Sequence, residues 1–307
     1  MTPPAADPHA EVRVDVEGRT LRLRRLDKVL YPSTGTTKGE VLDYYARIAP
    51  LLLPHLARRP VTRKRWPDGV SGPSFFEKNL PRGTPDWVER VTLPTPGSST
   101  GRDVATFPLV QDVATLVWLV NLASLELHVP QWQVGPRGAL KGVDRLVIDL
   151  DPGAPAGLAE CCEVALMVRE RVEDAGLTVV PVTSGSKGMQ LYAPLSGRQD
   201  ADTVRGYAER LAVELAAERP QLVVSRMTKA LRPGKVLLDW SQNHGAKTTI
   251  SPYALRGREA PNAAAPRSWD EIEAGGLTQL SIGQVLERTA DGVDLAADLL
   301  ARGPSLR

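Results

Sequence analysis

The chain has 307 residues, 42% of them hydrophobic, and a formal net charge of +2, enough to bury a substantial core in one large domain or two small ones. No apolar run approaches the roughly 18 residues of a membrane span, and the start MTPPAADPHAEV lacks the blocks of a signal peptide, so a cytoplasmic protein with no membrane partner is expected. The only cysteines, Cys161 and Cys162, are adjacent in a helix-like stretch where neighbours do not face each other, which excludes a disulfide framework.

Residues 1–11, rich in Pro and Ala without periodicity, are expected to be a disordered tail, with one domain over 12–307. Leu21 to Arg25 alternates apolar and basic residues as a half-exposed strand does, and Tyr31 to Thr36 carries turn signals. Arg22, Arg24, Arg25 and Lys28, then Arg58, Arg59, Arg63, Lys64 and Arg65, crowd positive charge into the first part of the chain, which suits a polyanion as well as a solvated surface. Thr37-Lys-Gly-Glu40 matches a capping box, and Val41, Tyr44, Ile48 and Leu51 follow at helical spacing, predicting a helix to about His55. Val61 to Trp66 reads as a short strand, 67–101 mainly as loops, and 112–127 as one buried helix ending at His128-Val-Pro130.

Further on, Arg145 to Pro152 reads as a strand, Leu158 to Ala175 as a helix, and Leu177 to Leu195 as two strands around Ser184-Gly-Ser-Lys-Gly188. A helix over about Asp202 to Ala217 precedes a strand from Val236 to Trp240. After an Ala- and Pro-rich crossing at Ala260 to Pro266, Ile282 to Glu287 and Leu295 to Ala301 read as short helices.

In Val147-Ile-Asp-Leu-Asp-Pro152 the period of two puts Asp149 and Asp151 on one face of the strand, about 6–7 Å apart, with Leu150 turned away. A lone DxD is a weak signal, shared with glycosyltransferases and surface turns. An apolar strand, however, belongs in a core, where uncompensated carboxylates cost several kcal/mol, so a cation should accompany them. Asp239 closes a second apolar strand. If the two strands are neighbours, three carboxylates converge in the pattern that holds two divalent ions for phosphoryl transfer. The turn from Thr183 to Gly188 offers small residues, hydroxyls and Lys187 for a triphosphate, with a plain hairpin turn as the alternative; Lys229, Arg232 and Lys235 add positive charge nearby.

Taken together, Asp27-Lys-Val-Leu-Tyr-Pro32, Thr36-Thr-Lys38, Arg63-Lys-Arg-Trp-Pro67, Phe75-Phe-Glu-Lys78, His128-Val-Pro-Gln-Trp132, Asp149-Leu-Asp-Pro152, Ser184-Gly-Ser-Lys-Gly188 and Asp239-Trp-Ser-Gln-Asn243 resemble the polymerase domain of bacterial ligase D, in family order over nearly the whole chain. That domain is the end-joining branch of the archaeo-eukaryotic primase superfamily. The resemblance implies a mixed α/β (α+β) primase-polymerase fold with a mainly antiparallel catalytic sheet flanked by helices. It divides the chain into a DNA-end-binding part (about 12–135), a catalytic part (about 136–260) and a C-terminal helical part (about 261–307).

The resemblance also implies roles. Asp149, Asp151 and Asp239 would be the catalytic metal triad for two Mn²⁺ or Mg²⁺ ions, with Lys64, Ser184, Lys187, Gln190 and Arg232 holding the incoming NTP or dNTP. Lys28 and Lys38 would grip a 5′-phosphate beyond a gap or break, and Arg65, Phe75, Phe76, His128, Lys229 and Gln242 would contact template or primer. Gln190 stands where the family usually has His; it can donate to a phosphate but carries no charge. The activity implied is template-directed filling of short gaps in DNA repair or non-homologous end joining, with a preference for ribonucleotides; the alternative is a 5′-phosphate-binding module with little or no synthesis. The partners implied are gapped or broken DNA, a separate DNA ligase, because we expect a stand-alone polymerase, and Ku end-binding protein, in a bacterial, nucleoid-associated setting.

Overall fold

The computed structural model describes residues 11–95 and 103–306. Most of the expected tail lies outside the described residues, and Glu11, assigned to it from sequence, instead begins the first strand.

Strands β1 (Glu11–Val16) and β2 (Arg19–Arg24) form a hairpin with Leu21 and Leu23 turned into the core. A small ladder of β3 (Val29–Tyr31) and β4 (Thr36–Thr37) leads into α1 (Lys38–Leu56). Thr37 accepts from the Glu40 N–H while Glu40 reaches back to the Thr37 N–H, so the helix starts on the expected capping box. Then come β5 (Thr62–Arg65), β6 (Phe75–Glu77), β7 (Arg90–Pro94), β8 (Val104–Pro108), α2 (Val113–Asn121), β9 (Ser124–Val129), β10 (Trp132–Val134), β11 (Leu140–Pro152) and α3 (Leu158–Asp174). The remainder is β12 (Val180–Thr183), β13 (Met189–Gln199), α4 (Ala201–Glu218), β14 (Val223–Val224), β15 (Val236–Leu238), β16 (Thr249–Ile250), β17 (Ala265–Pro266), α5 (Trp269–Ala274) and α6 (Ile282–Arg288).

Two sequence expectations fail. The single helix over 112–127 is two elements: α2 ends at Asn121, the chain reverses through Ala123 at φ 60°, and β9 follows. Every β9 residue is buried, yet Ser124-Leu-Glu-Leu-His-Val129 alternates polar and apolar as a strand does; the alternation was masked by the apolar run of α2 that leads into it. The segment 67–101, expected to be loops, contains β6 and β7, its last residues lying outside the described ones. β6 has three residues, too few to show a period. β7 does alternate exposed and buried side chains, but Pro and Gly on both sides obscured it.

A seven-stranded sheet runs β14-β15-β11-β13-β12-β17 with β10 added on β11, and every pairing is antiparallel except β14 with β15. A four-stranded sheet runs β16-β9-β5-β6. The side-chain period of β11 divides the core. Leu146, Ile148 and Leu150 point into a cluster with α3 and α4, while Val147 joins Tyr192, Val180 and Val182 in a second cluster shared with α1, α2 and β9. Asp149 and Asp151 continue the Val147 face, so both carboxylates open between the two sheets.

Candidate active site

β11 and β15 are neighbours, with Leu150 opposite Leu238 and Asp151 opposite Leu237. Asp239, one residue past β15, donates its N–H to the Asp149 carbonyl at 2.9 Å, which brings the third carboxylate beside the first two. Burial, then the negative charges of Asp151 and Asp239, push the Asp149 carboxyl up to about 7. Three oxygen donors that repel one another in a partly buried place have the chemistry of a site for hard divalent cations. Among the described residues no three carboxylate, His or Cys groups stand close enough to hold a metal ion together as they are, and the Asp239 carboxylate accepts from the Ser241 N–H and hydroxyl and from the Gln242 amide.

Asp149 and Asp151 line a cavity of about 450 Å³ together with Ser184, Lys187, Gln190, Gln242 and His128, all named from sequence. The turn carrying Ser184 and Lys187 joins β12 to β13, is closed by the Ser184 N–H to the Gly188 carbonyl at 2.9 Å, and is braced by Gln279, which accepts from the Gly185 N–H and donates to the Gly188 carbonyl. Gly188 is obligatory there: a Cβ would stand 1.9 Å from the Leu150 carbonyl oxygen, on the strand that carries the aspartates. Gln190 lies directly across the ladder from Asp149 and hydrogen-bonds to its carboxylate. Its carbonyl accepts from the Tyr192 hydroxyl at 2.7 Å, and Tyr192 is fixed in turn by Thr249 and the Ile250 carbonyl.

The cavity is also lined by residues that sequence reasoning did not single out: Ser186, in the same turn as Ser184, and Thr248, Thr249, Arg256 and Arg258. Glu126, only 2% exposed, was missed as well. It accepts from His128 Nε2 at 2.7 Å and from the Gly257 N–H at 3.0 Å, with Arg256 Nη1 at 3.6 Å, so one carboxylate gathers β9 and the Arg256–Arg258 turn. Burial alone would raise Glu126, but the His128 hydrogen bond and the Arg256 charge outweigh it and hold the carboxyl down to about 2. An ionised Glu126 cannot donate, so His128 carries its proton on Nε2. The signal available in sequence was Arg256-Gly-Arg258, two cations flanking a glycine, without any motif around it.

Next to this wall Lys64 stands over the rings of Trp66 and Phe76, 4.7 and 5.3 Å from their centroids, and Phe76 meets the His128 ring edge-on at 5.5 Å. Phe75 and Phe76 are 45% and 60% exposed on the edge strand β6. Arg65 pairs with Glu77 and stacks over Phe75 at 5.3 Å. The remaining named residues are not in the cavity wall. Arg232 donates to the Met227 carbonyl on the exposed segment that also carries Lys229. Lys28 and Lys38 form a separate group. Lys28 Nζ reaches Asp68 at 3.0 Å, and Lys38, 7% exposed, donates to the Arg24 carbonyl and to Asn121 at 2.7 Å each. Burial, then the charges of Arg25 and Lys28, bring Lys38 down to about 8.

With this geometry in view, the chain can be set beside known proteins. A family profile described as LigD, primase-polymerase domain, matches residues 37–296. The multifunctional non-homologous end joining protein LigD of Mycolicibacterium smegmatis is 48% identical over 286 residues, covering 92% of this chain and 36% of that protein. The bifunctional non-homologous end joining protein LigD of Bacillus subtilis is 32% identical over 270 residues, 87% of this chain and 42% of that protein. The chain thus spans little more than a third of the length of the first of these relatives. Among solved structures, the polymerase domain of Mycobacterium tuberculosis ligase D in complex with DNA superposes with a TM-score of 0.86 at 47% identity, covering 92% of this chain and 99% of that one. No helix among the described residues is long and apolar enough to cross a membrane.

Proposed function

The chain belongs to the LigD primase-polymerase domain family, and from that premise we propose that it is a template-directed nucleotidyltransferase that fills short, 5′-phosphorylated gaps at DNA breaks during end joining. The observation that carries this reading is a single cavity lined by two carboxylates of one strand, with a third beside them, and by Ser184, Lys187, Arg256 and Arg258. An anionic centre facing a cationic rim suits a metal-bound triphosphate, with the metal on the aspartates and the phosphate oxygens on the Lys, Arg and Ser donors.

Two Mn²⁺ or Mg²⁺ ions bound there would activate a primer 3′-hydroxyl and neutralise the leaving pyrophosphate. The protein supplies the rest. Asp149, Asp151 and Asp239 would hold the ions; Lys187 and the Ser184 turn orient the phosphates; Arg256 and Arg258, whose turn is held by Glu126, neutralise charge in the same cavity. Exposed Phe75 and Phe76 offer faces for unpaired template bases, Lys64 beside Phe76 serves the incoming nucleotide, and Arg65 and Gln242 serve the strands around it. Lys229 and Arg232 act from outside the cavity, on the primer or the phosphates.

The crowding of Lys38 by Arg25 and Lys28 supports a 5′-phosphate at that group, since an anion relieves the mutual repulsion. We assign the sealing step to a DNA ligase and end capture to Ku, and a preference for ribonucleotides to the nucleotide site. Extension across a one-nucleotide gap, with and without the 5′-phosphate and with rNTPs against dNTPs, tests the set. Equal rates with and without that phosphate would remove the roles of Lys28 and Lys38, and equal rates for both sugars would remove the ribonucleotide preference.

A further inference from the structure

The arginines near the start of the chain are only partly accounted for by the 5′-phosphate group. The hairpin β1–β2 buries Leu21 and Leu23 on one face, and its other face carries Arg13, Arg22 and Arg24, with Arg13 opposite Arg22 and Glu11 opposite Arg24 in the register. The three arginine side chains are 67%, 61% and 63% exposed. One carboxylate serves all of them: Glu11 lies 3.8 Å from Arg13, 3.6 Å from Arg22 and 2.8 Å from Arg24. Asp15, farther along the same face, is engaged by the Gly18 N–H in the hairpin turn. The face is therefore cationic, with its guanidiniums gathered around one acid.

Its end is physically joined to the Lys28 and Lys38 group. The Arg24 carbonyl accepts from Lys38 Nζ at 2.7 Å, and Asn121, which also binds Lys38, donates to the Arg22 carbonyl at 3.0 Å. A strand of six residues spans about 20 Å, the length of about six base pairs at 3.4 Å per pair. Arg22 and Arg24, two residues apart on one face, stand roughly 7 Å apart, a spacing of about two base-pair steps along the duplex axis.

We propose that the outer face of this hairpin binds the backbone of the duplex downstream of the gap, its arginines following the strand whose 5′-phosphate sits at Lys28 and Lys38. The proposal rests on the polymerase reading above. Backbone contact by arginines without base-edge readout makes the surface indifferent to sequence, as binding to arbitrary broken ends requires. Glu11 keeps the guanidiniums ordered and also lowers their net charge, so it tunes affinity downward.

The test is fluorescence anisotropy of the full chain across a salt series on two DNAs: a 5′-phosphorylated one-nucleotide gap with a downstream duplex arm, and the same primer-template without a downstream strand. For the Arg22→Ala/Arg24→Ala double variant the slope of log affinity against log salt should fall by about 2 on the gapped DNA, about 1 per phosphate contact, and stay at the wild-type value on the primer-template. Glu11→Gln, which cannot act by unfolding if binding improves, should bind the gapped DNA more tightly than wild type. An unchanged slope for the double variant on gapped DNA overturns the proposal and leaves the face for an acidic protein partner. Wild-type chain that binds neither DNA would overturn the polymerase reading itself, a separable outcome.

Discussion

Asp149 stands where a negative charge is hardest to hold, between two other carboxylates and mostly shielded from water, and this fixes how the site should respond to pH. Its carboxyl titrates at about 7 in the folded chain, against about 3.9 in an unfolded one. The stability owed to the protonated form is therefore complete below about 4 and lost as pH rises through about 7, when no cation is bound. A divalent ion competes with that proton. Thermal stabilisation by Mn²⁺ should grow between pH 6 and pH 8, with apparent affinity near pH 6 about tenfold lower than above pH 8, and the dependence should vanish in Asp149→Asn. Melting curves at fixed Mn²⁺ across that range decide it; stabilisation that is flat with pH would mean Asp149 is not a ligand. The neighbour Gln190 has both ends engaged, on Asp149 and on Tyr192. Removing the Tyr192 hydroxyl with Tyr192→Phe should weaken Mn²⁺ binding by about tenfold, the scale of a lost partner behind a metal ligand, with triphosphate affinity measured in Ca²⁺ much less affected. If only triphosphate affinity changes, Gln190 serves the phosphates instead. Asp149 and Asp151 were legible in sequence because a strand's period of two is rigid. Glu126, Arg256 and Arg258 were not, since their meeting depends on β9 lying against a turn some 130 residues away.

At the scale of elements, close backbone approaches set the cavity walls. A Cβ on Gly257 would lie 2.2 Å from the Trp66 ring, so the Arg256–Arg258 turn sits on the end of β5 with no room to spare. Gly257→Ala should lower stability by about 1–3 kcal/mol through overpacking and, by lifting both arginines, should raise KM for the nucleotide more than it changes DNA affinity. Denaturation and steady-state kinetics on the same variant report the two effects; an unperturbed KM would detach these arginines from the nucleotide. Helices α1, α3 and α4 were readable from caps and periodicity, as was the β12 turn β13 unit around Ser184–Gly188. β9 was not. Its alternation Ser124-Leu-Glu-Leu-His-Val129 follows directly on the apolar run of α2, and its start depends on one left-handed residue, Ala123, that no composition rule marks. Short edge strands such as β6, which present Phe75 and Phe76, gain their identity only from the partner they pair with.

Across the whole molecule, strand β11, which carries Asp149 and Asp151, ties the two clusters of the core together. Its outer residues are locked by ions: Asp144 pairs with Arg59 of the segment after α1, and Arg145 donates to His55, which in turn meets Asp294 near the C-terminus. The aspartate pair is thus carried on a strand fixed at several points, the rigidity that the proposed cation site would need. The proposed nucleotidyl-transfer chemistry of this cavity depends on Asp149, Asp151 and Asp239 together. It is tested most directly by rate of extension across a 5′-phosphorylated one-nucleotide gap with Mn²⁺, for wild type and for Asp149→Asn, Asp151→Asn and Asp239→Asn. The expected result is templated extension by wild type and a loss of about a thousandfold in each variant, the rate equivalent of roughly 4 kcal/mol, with gapped-DNA binding retained. Wild-type chain that binds the gap but does not extend it, or any one of the three variants extending at the wild-type rate, would contradict the account.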